Sequence, residues 1–357
     1  MERVRSEKFE FPNDNGDKLA GRLEWPVAEP RAFAVFAHCF TCSKDVAAAS
    51  RISRALTDKG VAVLRFDFTG LGNSEGDFSN TNFSTNVQDL VCAAEHLQRV
   101  HKAPELLIGH SLGGAAVISA AEQISSCKAV VTIGAPSDIS HVAHLFKDFL
   151  DEINEKGEAD VTLAGRDFKI KKQFVKDINK VVLENKVENL DRALAIFHSP
   201  QDEIVSIEHA RELFIHAKHP KSFISLDGAD HLLSNKKDSQ YVAGVIAAWA
   251  DKYLSGTVES EREQLQKLLQ RENVLVSARR GERFTQDIYT ADHAMVADEP
   301  EKLNGSNLGP SPYEFLMAAL GSCTSMTIKM YAERKGLPLK HVAVKLKHEK
   351  VHAKDCV

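Results

Sequence analysis

Glu105-Leu106-Leu107-Ile108-Gly109-His110-Ser111-Leu112-Gly113-Gly114-Ala115-Ala116 is the stretch that decides the fold. Leu106 to Ile108 reads as a buried strand, and Leu112 to Ile124 as an apolar helix that starts at once. Between them stand Gly109, Ser111 and Gly113, a G-x-S-x-G arrangement in the strand–turn–helix context of a nucleophile elbow. The turn is too tight for Cβ atoms beside the serine, which explains the glycines. Ser111 then projects above the sheet, with the next N–H and the helix N-terminus aimed at a developing oxyanion. Three such fixed positions match by chance about 0.1 times in a chain this long. A purely structural strand–helix turn is the competing reading.

Working outward, strand-like and helix-like runs alternate from Phe9 to about Leu254. Phe9 to Trp25 reads as an opening hairpin turned at Asn13-Asp14-Asn15-Gly16. Ala32 to Ala37, Val61 to Phe66, Ala129 to Ile133, Ala193 to Phe197 and Ser222 to Leu226 read as further buried strands. Val46 to Asp58, Thr85 to Val100, Ile207 to Ala217 and Asp238 to Leu254 read as helices. Such alternation predicts an α/β fold, a mostly parallel sheet with helices on both faces. Between Ile139 and Leu190 the rhythm breaks. Phe146 to Ile153 reads as a helix, and Val161 to Val175 as a hairpin with its tip at Ala164-Gly165-Arg166-Asp167. This insertion, about 139–190, sits at the carboxyl end of the sheet and predicts a small lid.

The length, 357 residues, suits two domains. A first domain over 1–254, a polar and charged linker over 255–273 and a second domain over 274–357 are expected. The linker reads as helical. Strand-like runs at Val274 to Ala278 and Arg283 to Thr290 open the second domain. A Gly/Pro-rich loop and an apolar helix from Tyr313 to Lys335 follow, and Val342 to Leu346 is strand-like again. A net charge of -5 argues against a broad nucleic-acid-binding face. No apolar run suggests a signal peptide or membrane span, so a cytoplasmic protein without nucleic-acid or membrane partners is expected.

A serine nucleophile needs a base and an orienting acid, in the order Ser, Asp/Glu, His along such a sheet. Asp202 follows the strand ending at Phe197, and His231 follows the strand ending at Leu226. Both stand at carboxyl ends of strands, on the rim expected for Ser111. Glu203 competes with Asp202 for the acid. The second oxyanion donor should come from Phe36-Ala37-His38-Cys39-Phe40-Thr41-Cys42-Ser43-Lys44-Asp45, with the N–H groups of Phe40 and Leu112 as the pair. No cofactor and no metal are expected.

These residues resemble the serine esterase and aminopeptidase-like α/β-hydrolases, with Arg65-Phe66-Asp67-Phe68-Thr69-Gly70-Leu71-Gly72-Asn73-Ser74 matching the family's segment after the fourth strand. The resemblance covers about 9–254 and implies the α/β-hydrolase fold and cleavage of an ester or amide through an acyl-enzyme. The lid, with Phe146, Phe149, Leu150 and Leu163 beside many charges, suits a small or medium acyl substrate. Cys39 and Cys42 depart from the family, which commonly has glycine there; a φ above zero at either would strain a cysteine. They also spell C-x-x-C, a redox or metal spacing. Reduced, metal-free thiols are expected, with a regulatory disulfide as the alternative.

Ser311 to Thr327 carries a second resemblance, to the central helix of the OsmC/Ohr family, and a hydrolase followed by it resembles bifunctional hydrolase/OsmC-like fusions. This implies an incomplete α+β module doing thiol-dependent hydroperoxide reduction, with Cys323 as the reactive thiol and a dithiol as reductant. An arginine from the early strands lowers the thiol's pKa in that family; Arg283 is the choice here, with Arg279 and Arg280 as alternatives. A small buried thiol among Ala319, Leu320 and Met326 is the competing reading of Cys323. Cys356 stands too early for the family's resolving cysteine. Glu314 falls on the opposite helix face from Cys323 at about 100° per residue. Leu316, Leu320 and Ile328 are expected to lack cover, so the chain is a fragment or a homodimer supplies it. The competing whole-chain readings are a thiol peroxidase with an accessory hydrolase domain and a non-enzymatic ligand-binding or dimerising protein.

Overall fold

The computed structural model describes residues 5–26, 29–39, 42–163, 165–255, 274–279, 282–290 and 293–348. Phe40, Ala164, Arg280, Cys356 and nearly all of the expected linker lie outside the described residues. The chain divides into two compact units, within 4–260 and within 261–357.

The first unit is built on an eight-stranded sheet, ordered β1-β2-β4-β3-β5-β6-β9-β10. The strands are β1 (Arg5–Pro12), β2 (Lys18–Trp25), β3 (Ala32–Ala37), β4 (Val61–Phe66), β5 (Leu106–His110), β6 (Ala129–Ile133), β9 (Ala193–His198) and β10 (Lys221–Ser225). The β1–β2 and β2–β4 pairs are antiparallel and every later pair is parallel. Period-two alternation shows why both faces must be covered. On β3, Phe33, Val35 and Ala37 enter one core and Ala32, Ala34 and Phe36 the other. One core is closed by α2 (Phe83–Val100) and α3 (Leu112–Ala120), the other by α1 (Ala47–Thr57) and α8 (Lys236–Ala250). Asn82 begins α2 with a capping box shared with Thr85.

The insertion after β6 is a 3-10 stretch (Ile139–Phe149), α4 (Leu150–Lys156), an antiparallel hairpin of β7 (Glu158–Leu163) and β8 (Arg166–Lys171), then α5 (Lys172–Ile178) and α6 (Leu183–Glu188). The hairpin is present, but its second arm stops at Lys171. Phe174 and Ile178 bury one face of a short helix where alternation suggested strand. Phe146 sits at a kink inside the 3-10 stretch, with a non-helical backbone, instead of opening a helix. The chain returns through β9 to α7 (Ile207–His216).

The second unit holds a three-stranded antiparallel sheet of β11 (Leu275–Ala278), β12 (Gln286–Tyr289) and β13 (Ala294–Ala297), followed by α9 (Pro312–Lys335). Ser311 and Glu314 form a capping box at the start of α9, and Gly336 ends it in the left-handed conformation. β13 is an addition to the expected elements. Val342 to Leu346 is not a strand: it has no hydrogen-bonded neighbour among the described residues, and alternation without a partner does not make one. Leu316, Leu320 and Ile328 are exposed, as expected. Among the described residues no helix is long and apolar enough to cross a membrane.

Candidate active site

Ser111 links β5 to α3 with φ 56° and ψ -126°, a strained backbone for a residue with a Cβ. Close approach imposes the glycines around it. A Cβ on Gly109 would lie 2.2 Å from the carbonyl oxygen of Gly113, and one on Gly113 2.5 Å from those of Ala37 and His38. Ser111 donates its N–H to Ile133 on β6 at 2.8 Å, which ties the elbow to the neighbouring strand. Leu112 occupies the first helical position, where an N–H has no intrahelical acceptor.

Asp202 and His231 come together across the ends of β9 and β10. Asp202 Oδ2 accepts from His231 Nδ1 at 2.7 Å, while Oδ1 accepts from the backbone N–H groups of Ile204 and Val205 at 2.9 Å each. Both side chains are buried. Burial alone would raise the Asp202 carboxyl; the His231 bond and the two backbone donors hold it below the usual range. Glu203 is exposed and stands aside. Gly134, next after the acceptor of Ser111 N–H, has a left-handed φ of 55° and little room for a side chain: a Cβ would lie 3.2 Å from both Asp202 Oδ2 and His231 Nδ1. Among the described residues Ser111 Oγ makes no hydrogen bond to His231, whose Nδ1 is bonded to Asp202.

Three further histidines stand at carboxyl ends of strands, and the sequence reading missed them. His110 donates from Nε2 to the His231 carbonyl at 2.7 Å, and burial pushes its pKa down to about 4. His198 Nε2 lies 2.8 Å from the Val205 carbonyl and 3.6 Å from Asp202 Oδ2. His38 Nδ1 lies 2.8 Å from the Cys39 carbonyl, and burial lowers its pKa as well. The signal was their position, since each ends or follows a strand of the parallel sheet.

The loop after β3 is anchored from below. Asp67, fully buried, accepts from Lys44 N at 2.6 Å, Lys44 Nζ at 2.7 Å and Asn73 N at 2.9 Å. Here the structure corrects the expectation of free thiols: Cys39 and Cys42 form a disulfide, their Cα atoms 5.3 Å apart. That separation is ordinary for a disulfide. The spacing alone could not choose between thiols, metal and disulfide.

Comparison with known proteins follows this geometry. The serine aminopeptidase S33 family matches residues 28–177. The esterase domain of a Rhodothermus marinus protein is 51% identical, covering 70% of this chain and 99% of that one with a TM-score of 0.59. The chain belongs to the α/β-hydrolases. It is a hydrolase whose C-terminal residues 305–356 match the OsmC-like proteins. Est1E from Butyrivibrio proteoclasticus, solved with ferulic acid, is 22% identical over 69% of this chain and 98% of its own, TM-score 0.61, which speaks for the fold alone. The mouse mitochondrial palmitoyl-protein thioesterase ABHD10 is 26% identical over 202 residues, 54% of this chain and 66% of that protein.

In the OsmC-like unit Cys323 is exposed, as are Leu316, Leu320 and Ile328 of the same helix. Arg283 is exposed, its guanidinium 4.8 Å from the Phe284 ring centre. Arg279 is bonded to Asp287. Glu314 is held by the cap, accepting from Ser311 N at 2.7 Å.

Proposed function

We propose that this hydrolase is a serine carboxylesterase acting on small or medium acyl esters, with Ser111 as nucleophile, His231 as base and Asp202 as orienting acid. The observation that carries the reading is the 2.7 Å Asp202–His231 bond, made by a carboxylate whose other oxygen is taken by two backbone donors. That bond keeps the proton on Nδ1 and leaves Nε2 free to take the Ser111 proton. Ser111 Oγ attacks the acyl carbon, and the oxyanion is met by the Leu112 N–H and, in this reading, the Phe40 N–H. His231 returns the proton to the leaving alkoxide, and water repeats the sequence on the acyl-enzyme. The likeness to the esterase domain of the Rhodothermus marinus protein, at 51% identity, supports the class.

The test is covalent labelling by a fluorophosphonate, with turnover of p-nitrophenyl esters of graded chain length. Wild type should be labelled and should prefer short chains, and Ser111→Ala should do neither. Labelling that survives in Ser111→Ala would overturn the assignment.

A second activity is favoured by one observation: Cys323 is exposed on α9 inside the OsmC-matching segment. In this reading Cys323 reduces an organic hydroperoxide, passing through a sulfenic acid that a dithiol resolves, with Arg283 as the companion cation. Consumption of cumene hydroperoxide with dithiothreitol by a chain carrying Cys39→Ser and Cys42→Ser, lost when Cys323→Ser is added, tests it; undiminished consumption after that addition would sink it.

A further inference from the structure

Cys39, one end of the Cys39–Cys42 bond, stands near the start of the nucleophile helix. Cys39 is buried and lines a small cavity together with Leu112 and Gly113, the first residues of α3. The carbonyl oxygens of Ala37 and His38 press so close to Gly113 that a Cβ there would sit 2.5 Å from each. On the far side, Lys44 is pinned through both its backbone and its ammonium to the buried Asp67. The disulfide therefore closes a four-residue ring, with a Cys42 N–H to Cys39 carbonyl bond of 3.1 Å, in a loop whose two ends are already fixed.

We infer that Cys39 and Cys42 are a reversible redox site, whose disulfide form holds the oxyanion loop in its working arrangement and whose dithiol form relaxes it. The inference rests on the esterase reading above and deepens it.

Structural stapling explains the bond poorly. A cross-link over three residues removes little freedom from the unfolded chain. The same unit already buries a core on each face of its sheet and keeps Cys92 and Cys127 as free thiols. It is no disulfide framework. Cys42 is partly exposed, so one sulfur is open to attack. Burial pushes the thiols of Cys92 and Cys127 up to about 12, which keeps them out of exchange at neutral pH.

The chemistry balances with a dithiol as reductant. Its thiolate attacks Cys42 Sγ, the S–S bond breaks, and Cys39 leaves as a thiolate that takes a proton. The second thiol of the reductant attacks its own sulfur in the mixed disulfide and expels Cys42; the reductant is oxidised by two electrons. A hydroperoxide reverses this. The Cys42 thiolate attacks the terminal oxygen, the O–O bond breaks and an alcohol leaves. Cys39 then displaces water from the sulfenic acid and re-forms the disulfide.

Phe40, whose N–H is the expected second oxyanion donor, lies between the two cysteines in the chain. Deleting one such donor costs about 10²–10³ in kcat, so loosening it should cost at least about fivefold, with KM little changed. The experiment uses the full chain carrying Cys323→Ser and Cys356→Ser, equilibrated in mixtures of reduced and oxidised dithiothreitol. Alkylation and mass spectrometry read the pair, and p-nitrophenyl acetate turnover and fluorophosphonate labelling are read on the same samples. Reduction of the pair should track a fall in kcat of about fivefold or more, reversed by cumene hydroperoxide. Adding Cys39→Ser and Cys42→Ser should fix turnover at the reduced level under both treatments. An unchanged or raised kcat with the pair reduced overturns the inference, as does a pair that is never disulfide-bonded or never reducible. An oxidised enzyme that neither turns over the ester nor takes the probe overturns the esterase reading itself, and with it the catalytic half of the inference.

Discussion

His110 donates its Nε2 proton to the backbone carbonyl of His231 across 2.7 Å, so the residue before the nucleophile supports the loop that carries the base. A carbonyl can only accept, which fixes the proton on Nε2. Burial holds the ring neutral, with its pKa at about 4. Replacing His110 by Phe leaves the carbonyl unbonded in a buried place and frees the His231 loop. Misplacement of a reacting group by even a fraction of an ångström is costly, so kcat should fall by about tenfold or more with KM little changed. His110→Gln, which keeps a donor, should recover part of the loss. A His110→Phe enzyme with wild-type kcat would show that the bond positions nothing.

The acid makes a graded prediction. Asp202→Asn keeps the shape of the side chain and can keep the backbone donors to Oδ1, but it no longer selects the Nδ1–H tautomer of His231. Turnover should drop by about 10⁴ with the melting temperature nearly unchanged. Ser111→Ala and His231→Ala should each cost several orders of magnitude, and combining them should add little because the residues act as a unit. Additive losses in the double variant would argue that they do not work together.

The elbow was legible because three signals coincided: an apolar strand, glycines where no Cβ fits, and an apolar helix. The strand end before them offered Asp202 and Glu203 alike; in the structure it is Asp202 that meets His231, while Glu203 is exposed. The roles of His38, His110 and His198 were not, because a sequence shows that a histidine ends a strand but not which carbonyl its ring meets. The Cys39–Cys42 bond was hidden for a related reason. Whether two cysteines three apart approach to a Cα separation of 5.3 Å depends on the turn between them. Val342 to Leu346 misled because alternation is local, whereas a strand depends on a neighbour elsewhere in the chain.

The anchor under the oxyanion loop predicts a combined loss. Lys44 Nζ donates to Asp67 Oδ2 at 2.7 Å and to Asn73 Oδ1 at 2.9 Å, with both charged groups buried. Removing one member of a buried pair strands the other, at about 3–5 kcal/mol. Lys44→Met should therefore lower stability by about 3 kcal/mol in urea unfolding at pH 7. Any folded fraction should show a reduced kcat, since Lys44 closes the loop that starts at His38. Full stability in Lys44→Met would mean that Asp67 is satisfied by backbone donors alone.

Stability against pH follows from groups that shift in opposite senses. Burial is the largest cause of the lowered pKa values of His38, His110, His198 and His209. On acidification below about 6.5 the unfolded chain takes protons at these histidines and the folded chain does not, so stability falls as pH drops toward 4. Asp89 works the other way. Burial raises its pKa to about 6 despite the bonds from Thr69, so the folded chain takes that proton first and stability rises as pH falls from about 6 to 3.8. At 1.36 kcal/mol per pKa unit, His110 and Asp89 each amount to about 3 kcal/mol and nearly cancel. His38, His198 and His209 then set the sign, and the melting temperature of the hydrolase unit should fall between pH 7 and pH 4.5. Asp89→Asn removes the opposing contribution and should steepen that fall. Calorimetric scans of both proteins at half-unit pH steps decide it: a flat profile in the wild type, or an equal slope in Asp89→Asn, would refute this balance.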